Sequence, residues 1–250
     1  MQALIIKAPG AMSNPIAGTP TIPDLTRDVL LEYNAERLTQ ADGTDVTLWG
    51  SAEGSWGTSA NLSLASVLRP KFALNGFSNG HPSVKFSREA LNYLRTSSSV
   101  PLTPVISTPA TVVALVKFDA SSEGVAATIF SSRDSAPNKY IYCRREISGR
   151  LSMGGGVNQE LLSPVVSTGV WMVVTCVFDG ANSKLFVDKV KTAGVCSASS
   201  WDGIVVGANA ANTNNLGGEI AALKAYSRAL SDAEVLLLRD GWLTSRGLAA

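Results

Sequence analysis

The chain has 250 residues, with 21 Lys and Arg against 20 Asp and Glu and a formal charge of +1. A balance so near zero leaves no electrostatic footprint for a nucleic-acid backbone or an anionic membrane surface. Charged residues make up 16%, against about 25% in an average soluble protein. The single histidine, His81, excludes a multi-histidine metal site.

In chain order, residues 1–24 come first and differ from the rest. They hold Pro9, Pro15, Pro20 and Pro23 and almost no charge. Prolines at that spacing cannot donate to a sheet ladder and favour an extended path. The segment reads as a docking arm, in which Leu4, Ile5, Ile6 and Ile16 are poor residues to leave in water and would pack on a neighbouring chain. The apolar run before Lys7 is too short for a signal-peptide core. No later run approaches the roughly 18 apolar residues of a membrane span. The expectation is a chain made in the cytoplasm, without membrane insertion.

From Val29 onward, short apolar runs recur between turn signals. Val29–Tyr33, Val46–Trp49, Ser83–Phe86, Thr111–Phe118 and Ala127–Phe130 read as strands. Lys139–Cys143, Val170–Phe178, Lys184–Val187, Ile204–Gly207 and Glu219–Tyr226 continue the series. Breakers at Asp42-Gly43, Asn75-Gly76, Asn79-Gly80, Gly154 to Gly156 and Asp179-Gly180 separate them. Many strands without alternating helices imply an antiparallel sandwich or jelly roll. Ser97–Thr108, with Pro101 and Pro104, reads as a long crossing loop. Residues 29–95 offer too few strands to close a sandwich alone, so 25–246 is expected to be one domain.

Within Val170–Phe178, Trp171, Val173, Thr175 and Val177 alternate with Met172, Val174, Cys176 and Phe178. Both sets are largely apolar, which places this strand inside a sheet with both faces covered. The cysteines, Cys143, Cys176 and Cys196, form no CxxC pair, and their odd number argues against a disulfide framework. They read as buried thiols, suited to a reducing compartment. One helix is expected last. Ser231-Asp-Ala-Glu234 is a capping box, Val235, Leu236 and Leu238 follow, and Gly241 is the expected stop.

Trp171-Met-Val-Val-Thr-Cys-Val-Phe-Asp179-Gly180 leads into Lys184-Leu-Phe-Val-Asp188 and then Ile204-Val-Val-Gly207. Gly217-Gly-Glu-Ile-Ala-Ala-Leu-Lys-Ala-Tyr226 and the capped helix close the series. In that order these segments resemble the concanavalin A-like jelly rolls, specifically laminin-G-like domains. Where such domains carry a glycine after the hairpin aspartate, this chain has Lys189. The architecture expected is therefore an all-β, antiparallel two-sheet jelly-roll sandwich, with an extended N-terminal arm and one short C-terminal helix.

Leu31-Glu-Tyr-Asn-Ala-Glu-Arg-Leu38, Asp42-Gly-Thr-Asp-Val-Thr-Leu-Trp49, Arg69-Pro-Lys-Phe-Ala-Leu-Asn-Gly76 and Pro82-Ser-Val-Lys-Phe86 are similar to segments preceding such domains in phage-encoded proteins. Leu4-Ile-Ile-Lys-Ala-Pro-Gly10 resembles the start of phage tail and virion proteins. This resemblance implies a non-enzymatic structural protein of a bacteriophage virion, tail-associated or capsid-decorating. Its partners would be other virion subunits in a homo-oligomeric or multi-copy assembly.

Glycoside hydrolases on this fold resemble one another in a Glu-x-Asp-x-x-Glu strand, which sets two carboxylates on one face. That spacing is absent around Glu32, Glu146 and Glu219, so no catalytic residues are expected. His81 lies in a turn, and no Lys-Ser/Thr follows Gly156 to make a phosphate cradle. Asp119, Asp134 and Asp202 form no acidic cluster, so neither a metal nor another cofactor is expected. Glycan binding needs an aromatic platform beside amides or carboxylates, since a sugar ring has both an apolar face and hydroxyls. Trp56, Trp201, Asp202, Asn209, Asn212 and Asn214 supply both kinds of group. They make a carbohydrate-binding module, attaching to host surface glycans, the alternative function.

Overall fold

A computed structural model describes residues 23–52, 54–64, 68–77, 80–97, 102, 105–133, 140–155, 159–196 and 200–248. The proposed arm residues Leu4, Ile5, Ile6 and Ile16, and also Asp134, lie outside these.

The strands β1 (Val29–Asn34), β2 (Leu48–Trp49), β3 (Leu62–Ser63), β4 (Lys71–Ala73), β5 (Ser83–Phe86) and β6 (Leu94–Arg95) come first. Next are β7 (Ile106–Ser107), β8 (Ala110–Phe118), β9 (Ala127–Ser132), β10 (Ile141–Arg145), β11 (Arg150–Gly155) and β12 (Glu160–Val165). Then β13 (Trp171–Phe178), β14 (Ser183–Val187), β15 (Val190–Gly194), β16 (Ser200–Trp201), β17 (Ile204–Val206) and β18 (Gly218–Tyr226) lead to the helix α1 (Asp232–Thr244). The first sheet runs β15-β14-β13-β8-β18-β5-β4, with β1 also pairing with β18. The second runs β12-β11-β10-β9-β17-β6-β3-β2, and β7 pairs separately with β16. The two large sheets are antiparallel and form the expected sandwich.

Alternation sets the core. Val112, Ala114, Val116 and Phe118 of β8, with Met172, Val174, Cys176 and Phe178 of β13, point inward. They meet Ile129, Ile141, Cys143, Leu151 and Met153 from the second sheet. The other face of the same strands, including Val113, Leu115, Val173 and Val177, packs under Val235, Leu238 and Leu243 of α1. Burying one such side chain stabilises by roughly 1.5–3 kcal/mol. Thus β13 lies third in its sheet with both faces covered, as its sequence requires.

Two expectations need correction. Gly154 and Gly155 are not a breaker; they lie inside β11. The Tyr142 ring lies against Gly154 so closely that a Cβ there would collide with it, and this close approach is why glycine sits in a strand interior. Gly241 does not stop α1, which continues to Thr244. Trp242 and Leu243 pack on the sheet beyond it, and their burial outweighs the roughly 1 kcal/mol cost of a helical glycine. The stop is Gly247, at φ 71°. Its N–H donates to Thr244 C=O (3.1 Å), and that of Leu248 donates to Leu243 C=O (3.0 Å), a Schellman ending. At the other end the capping box is formed, with Ser231 Oγ accepting from the Glu234 N–H and the Glu234 carboxylate accepting from the Ser231 N–H. In the turn before Lys189, it is Asp188 that takes the left-handed conformation, at φ 52°.

Candidate functional site

The residues chosen from sequence divide into two groups. Trp56 and Trp201 are 3% and 1% exposed, their rings edge to face with centroids 5.1 Å apart. Neither offers a free face to a sugar, so the aromatic platform is corrected to core packing. Asp202 is buried beside them, its carboxylate 3.1 Å from Arg133 Nη2.

The asparagines lie elsewhere. Asn209 Oδ1 accepts from the N–H groups of Ala211 (3.1 Å) and Thr213 (2.9 Å), which ties the loop to itself. Asn212 and Asn214 hold left-handed positions at φ 59° and 53°, as asparagine readily does. With Arg88 and Leu91 they line a shallow depression of about 360 Å³. The Thr128 N–H donates to Asn214 C=O, whereas the Arg133 N–H donates to Gly203 C=O. The two groups therefore flank opposite ends of β9, about 17 Å apart along the strand at about 3.3–3.4 Å per residue. They do not make one site.

A larger cleft of about 640 Å³ opens on the outer face of the first sheet, toward its β4 edge. Val84, Phe86, Val116 and Phe118 point into the core, so Lys85 and Lys117 point out. The register places Lys71 opposite Lys85, Lys85 opposite Glu219, Glu219 opposite Lys117, and Lys117 opposite Trp171. These residues form one row across five strands, and the first four line the cleft. Asp42 and Asn75 stand over the row from the loops at its side.

The charges in the row are unevenly committed. Glu219 Oε1 is 2.9 Å from Lys117 Nζ, and its Oε2 accepts from Ser83 Oγ at 2.5 Å. Lys117 Nζ also sits 5.1 Å from the centroid of the half-buried Trp171 ring, which packs on Phe77 at 4.6 Å. Lys71 Nζ reaches Asp45 Oδ1 at 2.5 Å, and this hydrogen bond holds the Asp45 carboxyl below the usual carboxylate range. Asp42 Oδ1 accepts from the Leu74 N–H at 2.9 Å. Lys85 is exposed and makes no ion pair among the described residues. Gly76 closes the wall, and a Cβ there would run into the Ser83 hydroxyl and the Glu219 carboxylate.

Reading along the chain misses this cleft because each strand contributes one polar residue. The available signal was a lone outward Lys or Glu in an otherwise apolar strand, as in Ser83-Val-Lys-Phe86 and Val112–Phe118. Only cross-strand register assembles them.

The fold and the segment order are matched by a family model, Laminin_G_3, described as the concanavalin A-like lectin/glucanases superfamily, over residues 89–236. The chain belongs to this family. Among solved structures, this Laminin_G_3 chain is similar to domain 4 of AbnA, a GH43 extracellular arabinanase from Geobacillus stearothermophilus, solved with arabinotriose. Identity is 15%, coverage is 85% of this chain and 98% of that chain, and the TM-score is 0.58. The receptor binding domain of botulinum neurotoxin mosaic serotype C/D matches at 13% identity, 88% and 52% coverage and a TM-score of 0.60. Trypanosoma rangeli sialidase in complex with the inhibitor DANA matches at 12% identity, 84% and 32% coverage and a TM-score of 0.53. At such identities these likenesses concern the Laminin_G_3 fold alone. No curated protein matches the chain in sequence.

Proposed function

We propose that this chain is a non-catalytic carbohydrate-binding module whose ligand occupies the cleft over Lys71, Lys85, Lys117 and Glu219. The observation that carries the reading is the cleft itself. Its volume of about 640 Å³ lies within the range of small-molecule sites, and side chains from several strands and two loops converge on it. Lectins in the family's description and a solved relative of the same fold holding arabinotriose support it. Both Glu219 oxygens are engaged, by Lys117 and Ser83, which suits a fixed acceptor better than a proton donor to a leaving group. A glycan array probed with the purified chain tests the reading, with a reducing-sugar assay on every glycan retained. Binding without sugar release is expected; release of reducing ends would overturn the non-catalytic part.

The virion reading rests on residues 1–24 and the N-terminal motifs. Residues 1–22 lie outside the described residues, so the glycan reading, with a described cleft behind it, is preferred. Location on a phage particle remains a separate proposal, tested by probing purified particles for this chain.

A further inference from the structure

We propose that the cleft selects an anionic saccharide, one bearing a carboxylate or sulfate group, and that the Lys85 ammonium on β5 is the group that receives that charge. The inference rests on the carbohydrate-binding reading and narrows its ligand class.

The argument starts from the row on the first sheet. Lys71 and Lys85 are directly opposite one another on neighbouring antiparallel strands, where facing Cβ atoms are about 4.5–5.5 Å apart and like charges destabilise. Lys71 has a partner in Asp45. Glu219, the neighbour on the other side of Lys85, is drawn to Lys117 and Ser83. Lys85 therefore stands in the open cleft with a facing cation on one side and an engaged carboxylate on the other. An anion placed there would give Lys85 the partner that Lys71 has in Asp45 and Lys117 has in Glu219, whereas a neutral ligand would leave it without one.

The acidic groups of the cleft do not cancel this. The Glu219 charge is offset by Lys117 at 2.9 Å. Asp42, exposed on the rim, has one oxygen committed to the Leu74 N–H. With Asp45 counted beside its partner Lys71, three lysines meet three carboxylates, and of the lysines that line the cleft Lys85 alone makes no ion pair among the described residues. Charge-assisted hydrogen bonds of the ammonium–carboxylate and ammonium–sulfate kind are about twice as strong as neutral ones. The polar Asn75 on the wall remains for the hydroxyls of the same sugar.

The experiment is an array of three arms, neutral, carboxylate-bearing and sulfated glycans, probed with the full chain and with Lys85→Ala, Lys85→Arg and Lys189→Ala. Lys189 is exposed between β14 and β15, toward the opposite edge of the sheet, so its variant makes the same charge change away from the cleft. Binding is expected in at least one acidic arm, and which arm answers tells carboxylate from sulfate. Lys85→Ala should weaken it about tenfold or more, Lys85→Arg should retain most of it, and Lys189→Ala should match the parent. Raising salt to about 1 M, where the screening length falls to about 3 Å, should weaken it further. Neutral glycans binding as tightly as acidic ones, or Lys85→Ala binding unchanged, would overturn the anionic inference and leave the module reading standing. Binding in no arm would overturn both.

Discussion

At the scale of single residues, burial decides what an aromatic ring or a thiol can do. Trp201 touches Trp56 edge to face and is almost fully enclosed, so Trp201→Ala removes a packed indole and should cost about 3–5 kcal/mol. Denaturant unfolding should show a large drop in midpoint; an unchanged midpoint would show that the ring is not core. Any glycan binding lost in that variant would report unfolding, not a missing platform. The sequence offers Trp201 as an aromatic group for a glycan because nothing local shows the Trp56 ring beside it. The thiols were legible, because each falls within or beside an apolar run. Cys143, Cys176 and Cys196 are free and buried. Burial pushes the Cys176 thiol up, and its neighbours Cys143 and Cys196 push the same way. Since the thiolate is the reactive form, an Ellman assay should find none of the three reacting promptly in the native protein and all three after unfolding. Prompt native labelling of Cys176 would contradict the enclosed core.

At the scale of elements, the helix separates what a local pattern shows from what packing adds. Its start was legible, since the capping box is a contact between residues three apart. Its end was not, because Trp242 and Leu243 are held by the sheet, which lies far away in sequence. The two readings of Gly241 differ in sign. As a left-handed stop it would resist a side chain, but here it is helical, with nothing within 4 Å of an added Cβ. Gly241→Ala should therefore stabilise by about 0.5–1 kcal/mol, and a lowered melting temperature would refute the continued helix. The first turn is also tied to the sheet. Asp232 meets Lys184 and Lys191, each at 2.6 Å, and those two hydrogen bonds, Lys184 first, hold its carboxyl below the ordinary value. A carboxyl lowered on folding contributes stability above its unfolded pKa of about 3.9, and this is lost as pH falls through the folded value. Asp232→Asn should thus reduce stability at pH 7 by less than about 1 kcal/mol, the pair being partly exposed. The gap from the parent should close below about pH 4; a gap that persists at lower pH would mean that the charge is not its source.

At the scale of the whole molecule, the family match and the fold have different limits. The matched segment begins at residue 89, yet of the strands before it β1, β4 and β5 belong to the first sheet and β2 and β3 to the second. The sandwich was legible from strand runs and turns, but this interleaving was not, because β3, β4 and β6 are only two or three residues long and carry too little periodicity. Removing residues 1–88 would strip both β1 and β5 from β18, leaving a long, apolar strand with an open edge. It would also take Leu31, Tyr33, Trp49, Phe72, Val84 and Phe86 out of the core. A chain of residues 89–250 should therefore aggregate or melt without a cooperative transition, whereas removal of residues 1–22 should leave the melting temperature of the parent. Calorimetry of the two truncations tests the pair. A sharp, cooperative transition from residues 89–250 would show that the matched segment closes its own sandwich, and the cleft, which takes Lys71 and Lys85 from outside that segment, would then be an addition to an independent fold.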